Sequence, residues 1–184
     1  QQKGQELRFN WKTPFLLSPH NPRIFFCAGN RVYRSLNQGQ NLEAISPDLT
    51  ATSNGTCTAL AQSPRDANVL YAGTDDGNLW MTTNGGSQWN KLTVPLIPGP
   101  RRVNSIELSR FASERAYVVY DGHYYDDDEP YVIVTEDQGK TWKSLRQNLP
   151  TGTTRVLRED VMNQDLLLLG TETGIWVSLD RGND

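Results

Sequence analysis

Several residue types that define common protein classes are scarce in this sequence. It has two cysteines, Cys27 and Cys57, and two histidines in 184 residues. Two cysteines are too few for a disulfide framework and show no metal-ligand spacing, and neither His20 nor His123 has a cysteine or a second histidine nearby. The sequence therefore predicts neither a disulfide scaffold nor a zinc site. Because Cys27 lies in an apolar segment, we expect a buried thiol there in preference to a disulfide bridge.

Strong charge and long apolar runs are absent as well. The net charge is −3 and the pI is about 5.4, which argues against a nucleic-acid or anionic-membrane partner bound through bulk charge. No apolar run approaches the roughly 18 residues of a membrane span. Turn formers are plentiful instead, with 15 glycines and 10 prolines. This composition suits a chain of many short strands.

An eight-residue pattern, which we call the box, recurs through the chain. The copy at 135–142 reads Thr-Glu-Asp-Gln-Gly-Lys-Thr-Trp, and weaker copies begin at Ser35, Thr82 and Ser178. Their third residues stand at positions 37, 84, 137 and 180, at intervals of 47, 53 and 43 residues. Repeats of about 40 to 50 residues predict a propeller or another array of repeated units.

The box has the chemistry of a tight turn between two strands. A short carboxylate or amide can accept a hydrogen bond from the backbone two residues on, and glycine tolerates positive φ. We therefore expect each box to join two strands and to return its Trp to the core. The residues with this structural role are Ser35, Asn37 and Gly39; Thr82, Asn84, Gly86 and Trp89; Thr135, Asp137, Gly139 and Trp142; and Ser178, Asp180 and Gly182.

This pattern resembles the Asp-box of the BNR-repeat superfamily, which includes sialidases, xyloglucanases, sortilin-type receptors and photosystem assembly factors. The copy at 135–142 matches the pattern fully, and the copy that begins at Thr82 has Asn in place of Asp. The first copy lacks both Asp and Trp, and the fourth ends before its Trp. The resemblance implies an all-β propeller in which the box is a structural turn and not a source of catalytic groups.

Short apolar segments fill the rest of each repeat. Two strand-like runs precede the strand that enters each box, and the more apolar of them begin at 24, 69, 116 and 166. A polar or mixed segment suited to an exposed outer strand follows the box. Each unit is thus predicted to be a four-stranded antiparallel blade, and such blades stacked radially form a β-propeller. One segment, 1–184, would hold blades at approximately 13–50, 56–94, 103–149 and 154–184.

Four blades or part-blades are fewer than the six to eight usual for proteins with this box. Two interpretations stay open. The chain is part of a longer propeller, or residues 7–11 supply the missing outer strand of the last blade and close a small ring. Residues 8–14 also resemble a joining segment of large secreted bacterial BNR-repeat proteins, which favours a piece of an extracellular or periplasmic protein. An incomplete ring would expose strand edges that invite self-association.

The predicted ligand site lies on one face of the blades. In an antiparallel blade with strands A to D, the B–C and D–A loops share a face, and the longest B–C loop spans 121–130. Its carboxylates could coordinate Ca²⁺ and its tyrosines could stack on sugar rings. The alternative is a solvated acidic loop without EF-hand spacing. The candidate ligand-binding residues are Asp75, Asp76, Asp121, His123, Tyr124, Tyr125, Asp126, Asp127, Asp128, Glu129 and Glu172.

Two classes of function remain open. No Ser/His/Asp constellation, phosphate loop or sialidase-type Arg-Ile-Pro signature is present. Four of the five tryptophans fall at equivalent core positions, so packing between blades explains them better than carbohydrate binding. The leading hypothesis is a non-catalytic binding or scaffolding module that engages a protein or glycan partner through the B–C/D–A face. The alternative is a xyloglucanase-like glycoside hydrolase with its acid and base among Asp75, Asp76, Asp121 and 126–129.

Overall fold

The computed structural model describes residues 6–183. These residues form four antiparallel sheets, and in each sheet the strands pair in chain order. Blade 1 consists of β1 (Phe15–Leu17), β2 (Phe25–Ala28), β3 (Val32–Ser35) and β4 (Glu43–Ala44), and blade 2 of β5 (Cys57–Gln62), β6 (Leu70–Thr74), β7 (Leu79–Thr82) and β8 (Asn90–Leu92). Blade 3 consists of β9 (Arg102–Leu108), β10 (Ala116–Asp121), β11 (Tyr131–Thr135) and β12 (Lys143–Ser144), and blade 4 of β13 (Thr154–Glu159), β14 (Leu167–Thr171) and β15 (Ile175–Ser178).

The first strands of the blades lie next to one another. β1 contacts β5, β5 contacts β9, and β9 contacts β13. These inner strands line one concave surface, which holds residues from all four blades. The sheets therefore fan out from a common inner surface in an arc, with β4, β8 and β12 on the outside.

Each box forms the turn between the third and fourth strand positions, and its first hydroxyl holds the turn closed. In the box of blade 3, Thr135 Oγ1 accepts hydrogen bonds from the backbone of Asp137 (3.3 Å) and Gly139 (2.8 Å), and it donates to Asp137 Oδ1 (2.8 Å). Asp137 Oδ1 in turn accepts from the Thr141 backbone (2.8 Å). Each hydrogen bond closes a short loop of backbone, as expected for Ser, Thr and Asp in turns.

The box turn also docks on the A–B loop of its own blade. The fourth box residue has positive φ, and its backbone N–H reaches a carbonyl of that loop. The four bonds are Gln38 to Arg23 (2.8 Å), Gly85 to Asn68 (2.9 Å), Gln138 to Glu114 (3.0 Å) and Arg181 to Asp165 (2.8 Å). The boxes thus fix the face of the arc that lies opposite the B–C and D–A loops.

Apolar side chains pack between successive blades in three clusters. Phe26, Leu70 and Trp89 belong to the cluster between blades 1 and 2. Tyr71 and Val118 belong to the cluster between blades 2 and 3. A third cluster, which includes Tyr117, Val132, Val134 and Leu169, lies between blades 3 and 4. Fully burying one aliphatic side chain of this kind contributes about 1.5–3 kcal/mol, so the clusters are the main force that stacks the sheets.

The fifth box residue is glycine because the preceding blade approaches it closely. A Cβ at Gly86 would lie 2.9 Å from the carbonyl oxygen of Ile45, a residue of blade 1, and one at Gly139 would lie 2.8 Å from Leu92 of blade 2. At Gly182 the nearest atom belongs to Leu145 of blade 3, at 3.1 Å. All these glycines also have positive φ, which L side chains rarely adopt. The box therefore contributes to inter-blade packing as well as to its own turn.

The tryptophans follow the packing expectation where a neighbouring blade is present. Trp80 and Trp89 donate their indole N–H groups to the Leu49 and Ile45 carbonyls of the preceding blade, each at 2.8 Å. Trp142 packs against the cluster between blades 2 and 3. Trp176 is 40% exposed and lies in blade 4, which has three strands among residues 6–183.

Residues near the start of the chain run across the loops of blades 1 and 2. The Arg8 backbone carbonyl accepts from the Asn30 N–H (2.7 Å), and the Arg8 guanidinium contacts Asp48 (3.1 Å). Asn10 Nδ2 donates to Thr56 Oγ1 (2.8 Å). The interpretation in which residues 7–11 complete blade 4 is therefore wrong for the described part of the chain, because blade 1 and blade 2 loops hold this segment.

Cys27 and Cys57 are both free and buried, as the sequence predicted for Cys27. Burial raises the pKa of both thiols, which keeps them protonated and unreactive near neutral pH. Among residues 6–183 there is no helix long and apolar enough to span a membrane.

Candidate functional site

An open cleft of about 390 Å³ lies on the B–C/D–A face, where the inner strands of blades 2, 3 and 4 begin. Two aromatic residues, three cationic residues, three neutral polar residues and one carboxylate line it. They are Trp11, Tyr124, Lys12, Arg102, Arg155, Asn10, Thr58, Asn104 and Asp121. The concave position and the mixed polar and aromatic lining fit a ligand site.

Asp121 is the buried anchor of the cleft. It ends β10 and is 2% exposed. Its Oδ2 accepts from Asn104 Nδ2 (3.1 Å) and from the Arg155 guanidinium, and its Oδ1 accepts from the His123 backbone N–H (2.9 Å). Because both oxygens are engaged and the charge is paired, this carboxylate is arranged to orient Asn104 and Arg155.

Arg102 differs from the other arginines around the cleft. Its guanidinium is half-buried and makes no hydrogen bond or ion pair with any residue from 6 to 183. By contrast, Arg101 pairs with Asp127, Arg146 with Glu129, and Arg155 with Asp121. The cleft therefore has two cations without a partner among residues 6–183, the exposed Lys12 and the half-buried Arg102.

The two aromatic side chains of the cleft project into solvent. Trp11 is 100% exposed and Tyr124 is 76% exposed. Trp11 sits in a turn that Asn10 holds, since Asn10 Oδ1 accepts from the Lys12 backbone (3.0 Å) and Nδ2 donates to Thr56 and Asp75. The turn thus presents an indole ring that packs on nothing else. Such exposed large aromatics beside a polar cleft are typical of binding surfaces.

The acidic loop is held on both sides by arginines from the neighbouring D–A loops. Asp127 Oδ2 accepts from Arg101 (2.8 Å) and from the Tyr131 hydroxyl (2.7 Å), and Arg101 also lies 4.6 Å above the Tyr125 ring. Burial by itself raises the pKa of Asp127, but the hydrogen bonds from Tyr131 and Arg101 outweigh it and the net shift is downward. Asp127 is therefore ion-paired and half-buried, whereas Asp126, Asp128 and Glu129 are exposed.

On the far side of the same loop, Glu129 pairs with Arg146 at 2.7 Å and the Asp128 carbonyl accepts from Gly152 at 2.7 Å. His123 and the Asp128 carboxylate are 3.9 Å apart and both are exposed. Asp126 has φ of 52° directly after the 3-10 turn His123–Tyr125, and its carboxylate makes no hydrogen bond within the described residues. No group of three His, Cys, Asp or Glu residues among 6–183 is arranged to hold a metal. A Ca²⁺ site here stays a prediction.

Three further candidate residues hold loop backbones in place. Asp75 accepts from the Thr56 N–H (2.8 Å), and Asp76 Oδ2 accepts from the Ala51 (2.7 Å) and Thr52 (2.8 Å) N–H groups. In blade 4, Glu172 accepts from Thr153 (3.2 Å), in the same relation as Asp75 and Thr56. None of the three lines the cleft, but Asp75 accepts from Asn10 (3.3 Å) and Glu172 lies 3.9 Å from the Arg155 guanidinium, so both stand directly behind its wall.

The cleft has one carboxylate among its described lining residues, and a hydrolase needs two. Glu107 is a carboxylate with a raised pKa, which burial causes and Arg158 at 3.1 Å partly offsets. It belongs to the inner concave surface and not to the cleft. The arrangement is suited to holding a ligand by stacking, hydrogen bonds and charge.

The sequence-based candidates included two of the residues that line this cleft, Asp121 and Tyr124, and missed the other seven, which are Asn10, Trp11, Lys12, Thr58, Arg102, Asn104 and Arg155. A signal was available for Trp11, because it is the tryptophan that falls outside the repeat-equivalent positions. The position of Arg102 directly before the predicted start of the third blade at 103 was a second signal. That its guanidinium has no partner depends on how the loops fold, and no local pattern contains this information.

The stacked sheets and their loop-face cleft define this molecule as part of a β-propeller with box-containing blades. A family model for Sortilin-Vps10, described as sortilin, neurotensin receptor 3, matches residues 30–151. The chain belongs to the Sortilin-Vps10 family.

Individual relatives agree on the fold. A probable oligoxyloglucan-reducing end-specific xyloglucanase of Neosartorya fischeri is 23% identical over 137 residues, which make up 73% of this chain and 16% of that protein. The crystal structure of an ancestral GH74 enzyme superimposes with a TM-score of 0.75 at 19% identity, over 93% of this chain and 23% of the enzyme. YCF48 bound to D1 peptide gives a TM-score of 0.58 at 15% identity, over 94% and 60% of the two chains. These likenesses confirm the β-propeller fold, and the chain spans less than two thirds of each of these proteins.

Proposed function

We propose that this chain is a glycan-binding module, with the ligand held in the cleft on the B–C/D–A face. The observation that supports this most strongly is the fully exposed Trp11 beside the exposed Tyr124 at a polar cleft. A flat aromatic ring can stack on the apolar face of a sugar, and the surrounding amide, hydroxyl and guanidinium groups can hydrogen-bond to its hydroxyls. The relatives whose names specify xyloglucanases support a glycan as the ligand class. A module of this kind would work in an extracellular or periplasmic setting.

Binding explains the loop carboxylates better than hydrolysis does. Asp75, Asp76 and Glu172 hold backbone N–H groups, and Asp121 and Asp127 are ion-paired. A general acid needs a carboxyl group whose pKa is raised, and the pKa of Asp127 is lowered. The proposal is therefore non-catalytic, and hydrolysis is an outcome that the experiment must be able to detect.

The test is a binding assay of the full chain against soluble xyloglucan and a panel of other soluble polysaccharides, by affinity electrophoresis and calorimetry. Trp11→Ala and Tyr124→Ala should each weaken binding to the retained polysaccharide by about five-fold, since an exposed stacking ring contributes on the order of 1 kcal/mol. Met162→Ala is the matched control, because Met162 is 86% exposed in an A–B loop on the other face. Unchanged binding in both aromatic variants would contradict the proposal.

Hydrolysis is measured in the same samples by the release of reducing ends. The expected result is no release by the unsubstituted chain. Release that disappears in Asp121→Asn, with the chain still folded, would overturn the non-catalytic role and support the glycoside hydrolase alternative.

A further inference from the structure

The charge of the cleft is opposite to that of the whole chain. The chain has a net charge of −3, whereas Lys12, Arg102 and Arg155 line the cleft against Asp121, with Glu172 behind the wall at 3.9 Å from Arg155. A positively charged cleft attracts anionic ligands even when the net charge of the protein is negative, because the charges nearest the ligand dominate the local potential. A neutral polysaccharide would make no use of this arrangement.

Arg102 is the residue of the cleft that is suited to recognise a carboxylate. The arginines beside it are held in ion pairs by loop carboxylates, at 2.8 Å for Arg101 with Asp127 and 2.7 Å for Arg146 with Glu129. Arg102 is half-buried in the cleft wall and has no such partner among the described residues. Guanidinium groups bind carboxylates through two parallel hydrogen bonds, and a half-buried one gains most from such a partner.

We propose that the ligand is an acidic polysaccharide, and that Arg102 binds the carboxylate of a uronic acid residue while Trp11 stacks on a sugar ring. This inference rests on the proposed function and names its ligand class. The cleft lining favours a glycan over an acidic peptide, because its lining residues are polar apart from the two exposed rings, and it offers no apolar pocket for peptide side chains. Tyr124, on the 3-10 turn of the acidic loop, stands at the other side as a second stacking surface.

The experiment compares one acidic and one neutral probe. Binding of oligogalacturonides and of neutral xyloglucan oligosaccharides to the full chain is measured by calorimetry at low and moderate salt. The acidic probe should bind at least ten-fold more tightly than the neutral one, and its affinity should fall as salt rises, because salt screens the ion pair. Equal affinities for the two probes would overturn the inference and leave the glycan-binding function standing.

Variants of Arg102 separate charge from geometry. Arg102→Met should lose about ten-fold or more in affinity for the acidic probe with no change for the neutral probe. Arg102→Lys should recover part of the loss, because Lys keeps the charge but not the paired donors. The matched control is Arg23→Met, an exposed arginine in the A–B loop of blade 1. An unchanged melting temperature in each variant excludes misfolding.

Two outcomes would count against the inference in different ways. If Arg102→Met weakens acidic and neutral probes equally, Arg102 is a general wall residue and no carboxylate is recognised. If neither glycan binds but an Asp/Glu-rich peptide binds through Arg102, the ligand is a peptide, and both this inference and the glycan-binding function are wrong.

Discussion

Blades 3 and 4 have the same apolar pattern in different surroundings. Residues of blade 3 that face blade 4 are buried, with Val132 at 1% and Val134 at 6% exposure, whereas the equivalent residues of blade 4 face solvent, with Ile175 at 76% and Val177 at 56%. The strand pairing is otherwise the same up to the box. In blade 3 these apolar residues pack against a neighbouring sheet, and among residues 6–183 no sheet covers their equivalents in blade 4.

At the opposite end of the arc, the box glycines show the same dependence on a neighbouring blade. Gly39 and Gly86 stand at the same box position with nearly the same φ, +94° and +95°. A Cβ at Gly86 would meet the backbone of Ile45 at 2.9 Å, but at Gly39 the nearest atom is a side-chain carbon of Phe25 at 3.9 Å. Among the described residues, no sheet packs against the box of blade 1 as blade 1 packs against the box of blade 2.

The largest expected effect comes from substituting these two glycines. Gly86→Ala should lower the free energy of unfolding by about 2–4 kcal/mol, since the strain of positive φ adds to a clash with a backbone atom that cannot move away. Gly39→Ala should cost only the strain, about 1–2 kcal/mol. Urea unfolding of both variants measures the difference.

If the two glycine variants lose the same stability, the contact between box and preceding blade contributes nothing to the stacking of the blades. The same pair in a longer protein that carries a preceding blade gives a sharper result. There the cost of Gly39→Ala should rise to that of Gly86→Ala.

A smaller effect is expected at the equivalent valines. Val134→Ala removes two methyl groups from the cluster between blades 3 and 4 and should cost about 2 kcal/mol. Val177→Ala removes the same atoms from an exposed position and should change stability by less than about 0.5 kcal/mol. Chemical denaturation of the full chain checks both values, and equal losses would mean that the outer face of blade 4 is covered in solution, which the binding of a second copy would explain.

The sequence predicted the repeated parts of this fold well and the unrepeated parts poorly. Strand order, box turns and blade faces follow from local patterns, such as the hydroxyl of Thr135 and the glycine at position 139, so four copies could be read against one another. Residues 7–11 and the 121–130 loop occur once. Their positions depend on Asn30, Asp48, Arg101 and Arg146, which are distant in sequence, and only the fold brings these partners together.

The candidate site shows the same limit. The sequence pointed to the face that carries the cleft and to two of its lining residues, Asp121 and Tyr124, because the length and composition of a loop are local properties. It could not show that Asp75, Asp76 and Glu172 are used to hold loops, or that Arg102 has no partner. Whether a charged side chain is paired is decided by its neighbours in space, and these come from different blades.

The smallest expected effect concerns the pH dependence of stability, which should differ between the boxes of blades 2 and 3. Hydrogen bonds from the Thr141 side chain and then its backbone lower the pKa of Asp137 from its ordinary 3.8 to about 2, whereas the corresponding Asn84 does not titrate. A pKa lowered by folding gives stability that is complete above about pH 4 and is lost as the pH falls toward 2. Asp137→Asn should therefore make the free energy of unfolding less dependent on pH between 4 and 2, and Asn84→Asp should make it more dependent.

Urea titrations at several pH values in this range measure the slopes. Asp48, whose lowered pKa is unaffected by these substitutions, supplies the same background in all variants. Identical slopes in the three proteins would show that the box carboxylate is not hydrogen-bonded in solution as it is here, and that the turn relies on Thr135 and Gly139 alone.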